Sequence, residues 1–203
     1  MSRANRPGGG GGRVRIVAGE WRRRFIRVAG ARDLRPTPDR VRETLFNWLA
    51  PTIAGARVLD AFAGSGILGL EALSRGAREA LFFERNPRLV RMLDDNIDAF
   101  SATDRARVQT IDAWRALARP GTPHDLIFLD PPYRATAHAE LCTLLQKNGW
   151  LAATSNIYLE QDVDRAPPQL PAPLGIRRHA KAGRVRYMLA GAIGTDEEET
   201  TWE

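Results

Sequence analysis

Cysteine is nearly absent from this chain of 203 residues, which contains Cys142 alone. One cysteine excludes an intramolecular disulfide and a cysteine-cluster metal site, and it suits a reducing cytoplasm. We therefore expect Cys142 to be a buried helix residue rather than a reactive thiol. Histidine is also scarce, and its spacing suggests neither a metal site nor a catalytic role; the three are His124, His138 and His179.

Long apolar runs are missing as well. No uninterrupted run approaches the ~20 residues of a membrane span, and the glycine- and arginine-rich N-terminus lacks the apolar core of a secretory signal. The hydrophobic fraction of 43% is typical of a globular protein, and the length allows one main domain with an extension. We expect a monomeric cytoplasmic protein without membrane contacts.

Lysine is rare, and most of the basic charge is arginine near the N-terminus. Residues 1–50 contain 12 arginines and 4 acidic residues, a net charge of +8, although the whole chain has a net charge of only +6. Arginine binds phosphate through paired hydrogen bonds and stacks on bases. The pattern favours a nucleic-acid-binding arm over a merely solvated basic surface. The candidate residues are Arg13, Arg15, Arg22, Arg23, Arg24 and Arg35.

The chain divides into four segments by composition. Residues 1–12 form a glycine-rich basic tail expected to be disordered, and residues 192–203 form an acidic flexible tail. Residues 13–50 should hold a small β-hairpin, with strands near 13–17 and 24–28 and an exposed row of arginines, followed by a helix. Residues 51–191 are expected to form the catalytic domain.

The helix within residues 13–50 has a clear predicted start. Thr37 can serve as its N-cap, with Pro38 at the first helical position, where a missing N–H costs nothing. Its apolar stripe consists of Val41, Leu45, Trp48 and Leu49. Arg40 and Glu43 lie on another face, where they could simply be a surface pair.

From residue 56 onward the pattern alternates between strands and helices. Apolar strands are predicted at 57–60, 80–84, 107–111, 126–129 and 156–160, with helices at 65–75 and 87–100. Such alternation predicts an α/β fold with a doubly wound, mostly parallel sheet of the Rossmann type. No helix-length segment separates 174–179 from 184–190, so these should form a terminal antiparallel pair that turns at Ala182-Gly183.

A glycine loop follows the first strand of this domain. Gly64 and Gly66 permit close backbone approach to a ligand, and the next helix offers free N–H groups. Gly64, Gly66 and Gly69 match a dinucleotide fingerprint, which leaves a nicotinamide dehydrogenase as one alternative. However, Asp60 ends the strand just before the loop, where it would repel a pyrophosphate and attract an ammonium or sulfonium group.

Two further acids follow the next two strands. Glu84 stands where an acid hydrogen-bonds ribose hydroxyls, and Asp112 can accept from an adenine amine. Each acid alone could be a cap or a turn residue. Three acids at the ends of three consecutive strands, together with the glycine loop, favour S-adenosylmethionine as the cofactor.

The segment Asp130-Pro131-Pro132-Tyr133 follows the apolar strand at 126–129. Neither proline can donate a backbone hydrogen bond, so the strand cannot continue and a helix cannot start at once. A carboxylate, a carbonyl and an aromatic ring are therefore held at a strand's carboxyl end, where open α/β sheets bind ligands.

Together these motifs closely resemble the RsmD family of class I methyltransferases. The resemblance rests on Asp60-x-Phe-x-Gly-x-Gly, Glu84, Asp130-Pro-Pro-Tyr and Gly149-Trp150-Leu151, and also on Arg35-Pro36-Thr37-x-x-Arg40-Val41-Arg42-Glu43. It covers about residues 13–189. In one departure, Ala18-Gly19 and Arg23 stand where such families tend to have Gly-Gly and a further glycine, so the arm follows the family less closely than the core.

The resemblance implies methylation of N2 of one guanosine in 16S ribosomal RNA, with the assembled or nearly assembled 30S subunit as the substrate and with no metal. Ionised Asp130 and the Pro131 carbonyl would each accept one N–H of the amine, and Tyr133 would stack on the extruded base. The implied cofactor residues are Asp60, Phe62, Ala63, Gly64, Ser65, Gly66, Glu84, Arg85, Asp112 and Ala113. Thr37, Arg40 and Glu43 would lie over the cofactor pocket or the RNA entrance.

Other interpretations of the same residues stay open. A DNA adenine-N6 or protein glutamine-N5 methyltransferase would share the cofactor loop, although such enzymes usually have Asn in place of Asp130. A non-catalytic RNA-binding assembly factor on the same fold is a further alternative.

Overall fold

The computed structural model describes residues 12–29, 38–131 and 137–193, and the predicted tails lie almost wholly outside them. In chain order the strands are β1 Gly12–Arg15, β2 Phe25–Val28, β3 Arg57–Asp60, β4 Glu79–Glu84, β5 Ala106–Thr110, β6 His124–Leu129, β7 Leu151–Asp162, β8 Leu174–Ala182 and β9 Val185–Ala192. The helices are α1 Asp39–Leu49, α2 Ile67–Ser74, α3 Pro87–Ala99, α4 Ala113–Leu117 and α5 Ala137–Lys147.

Seven of these strands form the predicted mostly parallel sheet, in the order β5-β4-β3-β6-β7-β9-β8. The first five of that order run parallel, whereas β9 pairs antiparallel with both β7 and β8. Gly183, at φ +58°, makes the turn between β8 and β9 as predicted. The strand order reverses between β3 and β6, so their carboxyl ends border the crevice where such sheets bind ligands.

Helices cover both faces of the sheet and create two apolar layers. One layer joins α1, α2 and α3 to the sheet and includes Phe46, Phe82 and Phe128. The other lies under α4 and α5, where Cys142 is fully buried as expected. This three-layer arrangement confirms the predicted α/β class.

The N-terminal hairpin exists as predicted, but it is docked on the main domain. Glu71 of α2 accepts the N–H groups of Val17 at 2.8 Å and Ala18 at 3.0 Å. A Cβ at Gly19 would lie 1.8 Å from the Ser74 carbonyl oxygen, so only glycine permits this close approach. The hairpin thereby covers the outer face of α2, which explains why all eight residues of that helix are buried.

Two predicted helix starts were wrong. Pro38 is the N-cap of α1, with ψ 148°, rather than its first residue; Thr37 lies outside the described residues. The helix α2 begins at Ile67 rather than at residue 65, because Gly66 adopts a left-handed conformation with φ +76°. A left-handed residue ends the loop and cannot be part of the helix.

The strand β7 is longer than predicted, with 12 residues instead of five. Its first half pairs with β6 through His124 and Leu151, and the register then shifts between His124 and Leu126. The segment at 151–155 contains two adjacent alanines, a residue type that is depleted in strands, so its local strand signal is weak and its pairing with β6 defines it as a strand.

Candidate active site at the carboxyl edge of the sheet

The acids singled out in the sequence follow neighbouring strands of the sheet. Asp60 ends β3, Glu84 ends β4 and Asp130 directly follows β6. In the parallel register Asp60 pairs with Phe82 of β4 and with Phe128 of β6. Because these strands run in the same direction, the three carboxyl groups belong to one edge of the sheet, at the point where the strand order reverses.

The glycine loop folds back onto this edge. Gly64 has φ +53°, and its N–H donates to Glu84 Oε2 at 3.0 Å. Ala63 donates to the Phe83 carbonyl at 3.0 Å, and Gly66 donates to the Ala63 carbonyl at 2.6 Å. A Cβ at Gly66 would lie 2.3 Å from Leu93 Cδ1, so any larger residue at this position would have to push aside the buried Leu93 side chain of α3. The loop is thus fixed close to Glu84.

Asp60 is a buried carboxyl group with an altered proton affinity. Burial raises its pKa to about 7, and the nearby Glu84 carboxylate adds to the rise, whereas the hydrogen bond from the Gly69 N–H opposes it. That N–H lies 3.2 Å from Asp60 Oδ2. A cationic ligand beside Asp60 would favour the ionised form and offset the cost of burying the charge.

Glu84 and Asp112 both accept backbone hydrogen bonds. Glu84 Oε1 accepts from the Asn86 N–H at 2.7 Å, and Asp112 Oδ1 accepts from the Arg115 N–H at 3.3 Å as the N-cap of α4. A carboxylate has about four lone-pair directions, so each can still accept from a ligand hydroxyl or amine. Exposed Arg85 lies 3.7 Å from Asp112 Oδ2. Phe62 is half-buried, and Ala113 and Ser65 are buried beside the same edge.

Asp130 occupies a crowded acidic position. Part of its side chain is exposed to solvent, but the surrounding protein desolvates the rest, and Glu160 and Asp60 add repulsion, so its pKa is raised above the usual range. All three causes act in the same direction, and solvent at the exposed side limits the rise. Asp130, which the resemblance implied to be ionised, is therefore a carboxyl group that binds a proton more readily than an ordinary aspartate.

Glu160 and Tyr158 were not singled out in the sequence, although both lie beside Asp130. Leu129 pairs with Leu159 in the register of β6 and β7, so Asp130 and Glu160 are the next residues in line. The Tyr158 hydroxyl donates to Glu160 Oε2 at 2.7 Å. Glu160 is another acid near a strand's carboxyl end, and the rule applied to Asp60 and Glu84 would have found it.

Four of the predicted site residues lie outside the described part of the chain. They are Arg35, Thr37, Pro132 and Tyr133. Their expected roles therefore stay predictions. Pro131 is described and half-buried directly after Asp130.

A second feature of the surface is a groove of about 670 Å³ between the hairpin, α1 and α2. Three predicted RNA-binding arginines, Arg15, Arg22 and Arg23, line it together with Arg75, which was not predicted. Glu43 and Asn47 of α1 also face this groove. We name it the arginine groove.

The remaining arginines of the arm are placed differently. Arg24 stacks over Phe100 at 4.3 Å from the ring centroid and donates to the Ala99 carbonyl, so it holds the hairpin on α3. Arg13 is exposed on β1, and Arg40 is exposed on α1. Arg24 therefore has a structural role that its position in an arginine run did not suggest.

The described residues contain no group of three or more side chains suited to a metal ion. Within the same residues, no helix is long and apolar enough to cross a membrane.

Comparison with known proteins places this architecture in a family. A family model described as conserved hypothetical protein 95 matches residues 14–191. Ribosomal RNA small subunit methyltransferase D of Escherichia coli K12 is 47% identical over 180 residues, which is 89% of this chain and 90% of that protein. The Haemophilus influenzae protein of the same name is 40% identical, covering 88% of this chain and 93% of its own length. A solved structure of the Escherichia coli protein yhhF superposes with a TM-score of 0.83 at 45% identity and covers 89% of this chain and 98% of that one.

Proposed function

This chain belongs to the RsmD family, and from that premise we propose that it transfers a methyl group from S-adenosylmethionine to N2 of a guanosine in 16S ribosomal RNA. Its relatives are named as small-subunit ribosomal RNA methyltransferases, which supports ribosomal RNA as the substrate. The observation that carries the proposal is the set of acids Asp60, Glu84 and Asp130 at one sheet edge, around the glycine loop.

The residues at this edge fit the parts of the cofactor. Asp60 would stabilise the positively charged methionine end, Glu84 would accept from the ribose hydroxyls, and Asp112 would accept from the adenine amine. The main chain of residues 61–66 would lie against the cofactor, since its glycines leave room for close approach. S-adenosylmethionine supplies a methyl group activated by its sulfonium charge.

Asp130 and Pro131 would orient the amine that receives the methyl group. The lone pair of a guanine amine is delocalised into the ring, which makes the amine a poor nucleophile. One N–H donated to Asp130 and the other to the Pro131 carbonyl would aim this lone pair along the line of transfer. A hydrogen bond to a charged group is worth roughly 1.5–3 kcal/mol, and positioning of two bound reactants supplies roughly 7–11 kcal/mol.

The raised pKa of Asp130 gives this residue a further role. The amine carries an extra proton once its nitrogen has bonded to the methyl group, and that proton must leave. Burial, Glu160 and Asp60 raise the proton affinity of Asp130, so ionised Asp130 first accepts the hydrogen bond and then takes the proton. Asp130 therefore serves mainly for orientation and finally as a proton acceptor.

Asp60 provides a test of the cofactor site through pH. Its pKa is raised to about 7 in the free protein, and a cationic ligand binds its ionised form. We expect the affinity for S-adenosylmethionine to fall as pH drops below about 7, by up to about tenfold per unit. Above about pH 8 the α-amino group of the ligand loses its own proton, so the comparison is made below that pH. Titration calorimetry at several pH values measures this change.

Asp60→Asn is the matched control for that titration. Its affinity should be weak and independent of pH over the same range, because the variant has no carboxyl group to ionise. If the affinity of the wild-type protein did not change between about pH 6 and about pH 8, Asp60 would not contact the cofactor.

The arginine groove would bind the RNA backbone. For every phosphate that the protein no longer neutralises, the dependence of log affinity on log salt concentration should flatten by about 0.7–0.9. We expect the double variant Arg22→Gln with Arg23→Gln to show this flattening in an RNA-binding titration. Arg119→Gln is the control, because Arg119 is exposed in the loop between α4 and β6 and does not line the arginine groove, so its replacement should leave the slope unchanged. If the dependence of log affinity on log salt concentration were the same for the double variant and the wild type, Arg22 and Arg23 would be ordinary solvated surface residues that do not contact phosphates.

The assembled or nearly assembled 30S subunit is the proposed target, with a monomeric enzyme that needs no metal. Residues 51–191 would then be the catalytic unit, and residues 13–50 would cover the cofactor and contact RNA.

Labelled methyl transfer to isolated small subunits, naked ribosomal RNA, DNA and release factor tests the function. Label in DNA or protein alone would support an adenine-N6 or glutamine-N5 enzyme. Failure to bind S-adenosylmethionine would support a non-catalytic assembly factor.

A further inference from the structure

One face of the N-terminal hairpin is exposed along its whole length. In the antiparallel register Arg13 pairs with Arg27, and Arg15 pairs with Phe25. All four side chains are exposed, whereas Ile26 and Val28 point to the core and are 0% and 4% exposed. Because neighbouring residues of a strand point to opposite faces, these four side chains share the outer face, which we call the hairpin face.

Phe25 is unusual on this face. Its side chain is 58% exposed, and no other large hydrophobic side chain within residues 12–29, 38–131 and 137–193 is exposed to a similar degree. A single exposed apolar residue needs no explanation by itself. Here, however, Arg15 stands directly across from the ring, and side chains opposite one another lie about 5 Å apart at their Cβ atoms. The ring is thus surrounded by cationic groups.

The hairpin holds Phe25 in a fixed place. The Arg27 N–H donates to Asn96 Oδ1, and Asn96 Nδ2 donates to the Arg27 carbonyl, both at 2.9 Å. The Ile16 N–H donates to the Arg24 carbonyl at 2.8 Å. The backbone on both sides of Phe25 is therefore fixed, so on binding a ligand would have to restrict only the side chain and not the main chain, which lowers the entropic cost.

The charges of the hairpin face are available for a ligand. Arg15 lies 3.5 Å from Asp39 and Arg27 lies 3.7 Å from Asp95, and all four of these side chains are about half or more exposed. Exposed pairs of this kind contribute only about 0–1 kcal/mol, so a phosphate can replace the carboxylate at little cost. Arg15 also lines the arginine groove, which makes the two surfaces continuous.

We propose that Phe25 stacks on an unpaired base of the ribosomal RNA, while Arg13, Arg15 and Arg27 contact the phosphates beside that base. An aromatic ring within a cationic surface is the arrangement that binds single-stranded nucleic acid, because every base has a face that stacks. Bases in a duplex are stacked on one another and cannot reach the Phe25 ring. The bound nucleotide therefore belongs to an unpaired loop or bulge of the RNA. The inference rests on the RNA methyltransferase function proposed above.

Binding of labelled RNA to Phe25→Ala, Phe25→Leu and Phe25→Trp tests this proposal. The probes are a 16S ribosomal RNA transcript, a single-stranded oligoadenylate, and an RNA duplex with the same number of phosphates. We expect Phe25→Ala to weaken oligoadenylate binding about tenfold at every salt concentration, with an unchanged salt slope. Phe25→Trp should bind at least as tightly as wild type, and Phe25→Leu should lose most of the affinity that the alanine variant loses. Duplex binding should not change.

Three results would overturn the proposal. Unchanged oligoadenylate affinity in Phe25→Ala would make the ring a solvated surface residue. An equal loss for single strand and duplex would mean that the face contacts the backbone rather than a base. If Phe25→Ala bound RNA as tightly as the wild type but methylated assembled subunits more slowly, the hairpin face would contact a ribosomal protein rather than RNA. Wild-type methyl transfer to ribosomal RNA, measured on the same preparation, tests the enzyme's function separately.

Discussion

Replacement of Asp130 by asparagine is expected to lower turnover by about 10- to 100-fold while the affinity for S-adenosylmethionine changes little. Asparagine has nearly the same shape and keeps one acceptor oxygen, but it carries no charge and cannot accept the proton that leaves the amine. Loss of a charge-assisted hydrogen bond costs roughly 1.5–3 kcal/mol, which corresponds to about one to two decades in rate. Single-turnover kinetics with small-subunit RNA measure the change.

The matched control for this experiment is Asp104→Asn. Asp104 is exposed and precedes β5, at the edge of the sheet opposite to Asp130, so removal of its charge should leave turnover as in wild type. A large loss of cofactor affinity with normal turnover in Asp130→Asn would instead place Asp130 in the cofactor pocket.

Replacement of Glu71 by alanine is expected to destabilise the fold by about 3 kcal/mol or more. Glu71 is fully buried and accepts from Val17, Ala18, Arg42 and Arg75. Arg42 is likewise fully buried, with its Nη1 3.3 Å from Glu71 Oε2. Removal of one partner of a buried ion pair typically costs about 3–5 kcal/mol. Arg42 would keep its pair with the half-exposed Asp39, whose Oδ1 lies 2.5 Å from its Nη2, so we expect a cost near the lower end of this range. Two backbone N–H groups of the hairpin would lose their acceptor as well.

Urea unfolding measures this effect, with Glu20→Ala as the control. Glu20 pairs with Arg105 at 3.1 Å on the surface, where such pairs contribute about 0–1 kcal/mol. A Glu71→Ala variant no less stable than Glu20→Ala would show that the hairpin does not depend on this buried group. We expect Glu71→Ala also to weaken RNA binding, since the arginine groove requires a docked hairpin.

Local patterns were sufficient to predict that Asp60, Glu84 and the glycine loop lie together at one edge of the sheet. Asp60, Glu84 and the glycines between them lie within one strand–helix–strand unit, so their spacing along the chain reflects their spacing in the fold. The raised pKa of Asp130 had a different origin. It arises from burial and from Asp60 and Glu160, which are distant in the chain and meet only when β3, β6 and β7 align.

The docking of the arm could not be predicted for the same reason. Arg42 and Glu71 are ordinary charged residues of two separate helices, and nothing in their neighbourhood indicates that they pair in the core. Arg24 and Arg22 are equivalent in sequence, yet one packs on Phe100 and the other lines the arginine groove. Both arginines lie in the loop at residues 16–24, and the path of this loop depends on the close approach of Gly19 to Ser74.

The sheet edge that contains Asp130 is proposed to methylate a guanine amine of 16S ribosomal RNA. The most direct measurement is nucleoside mass spectrometry of this RNA from cells that lack the gene, before and after incubation of their small subunits with the protein and S-adenosylmethionine. We predict that N2-methylguanosine is missing at one position, is restored by the wild-type protein, and is not restored at a comparable rate by Asp130→Asn. Complete N2-methylguanosine in the deletion strain, or its restoration by Asp130→Asn at the wild-type rate, would contradict the claim.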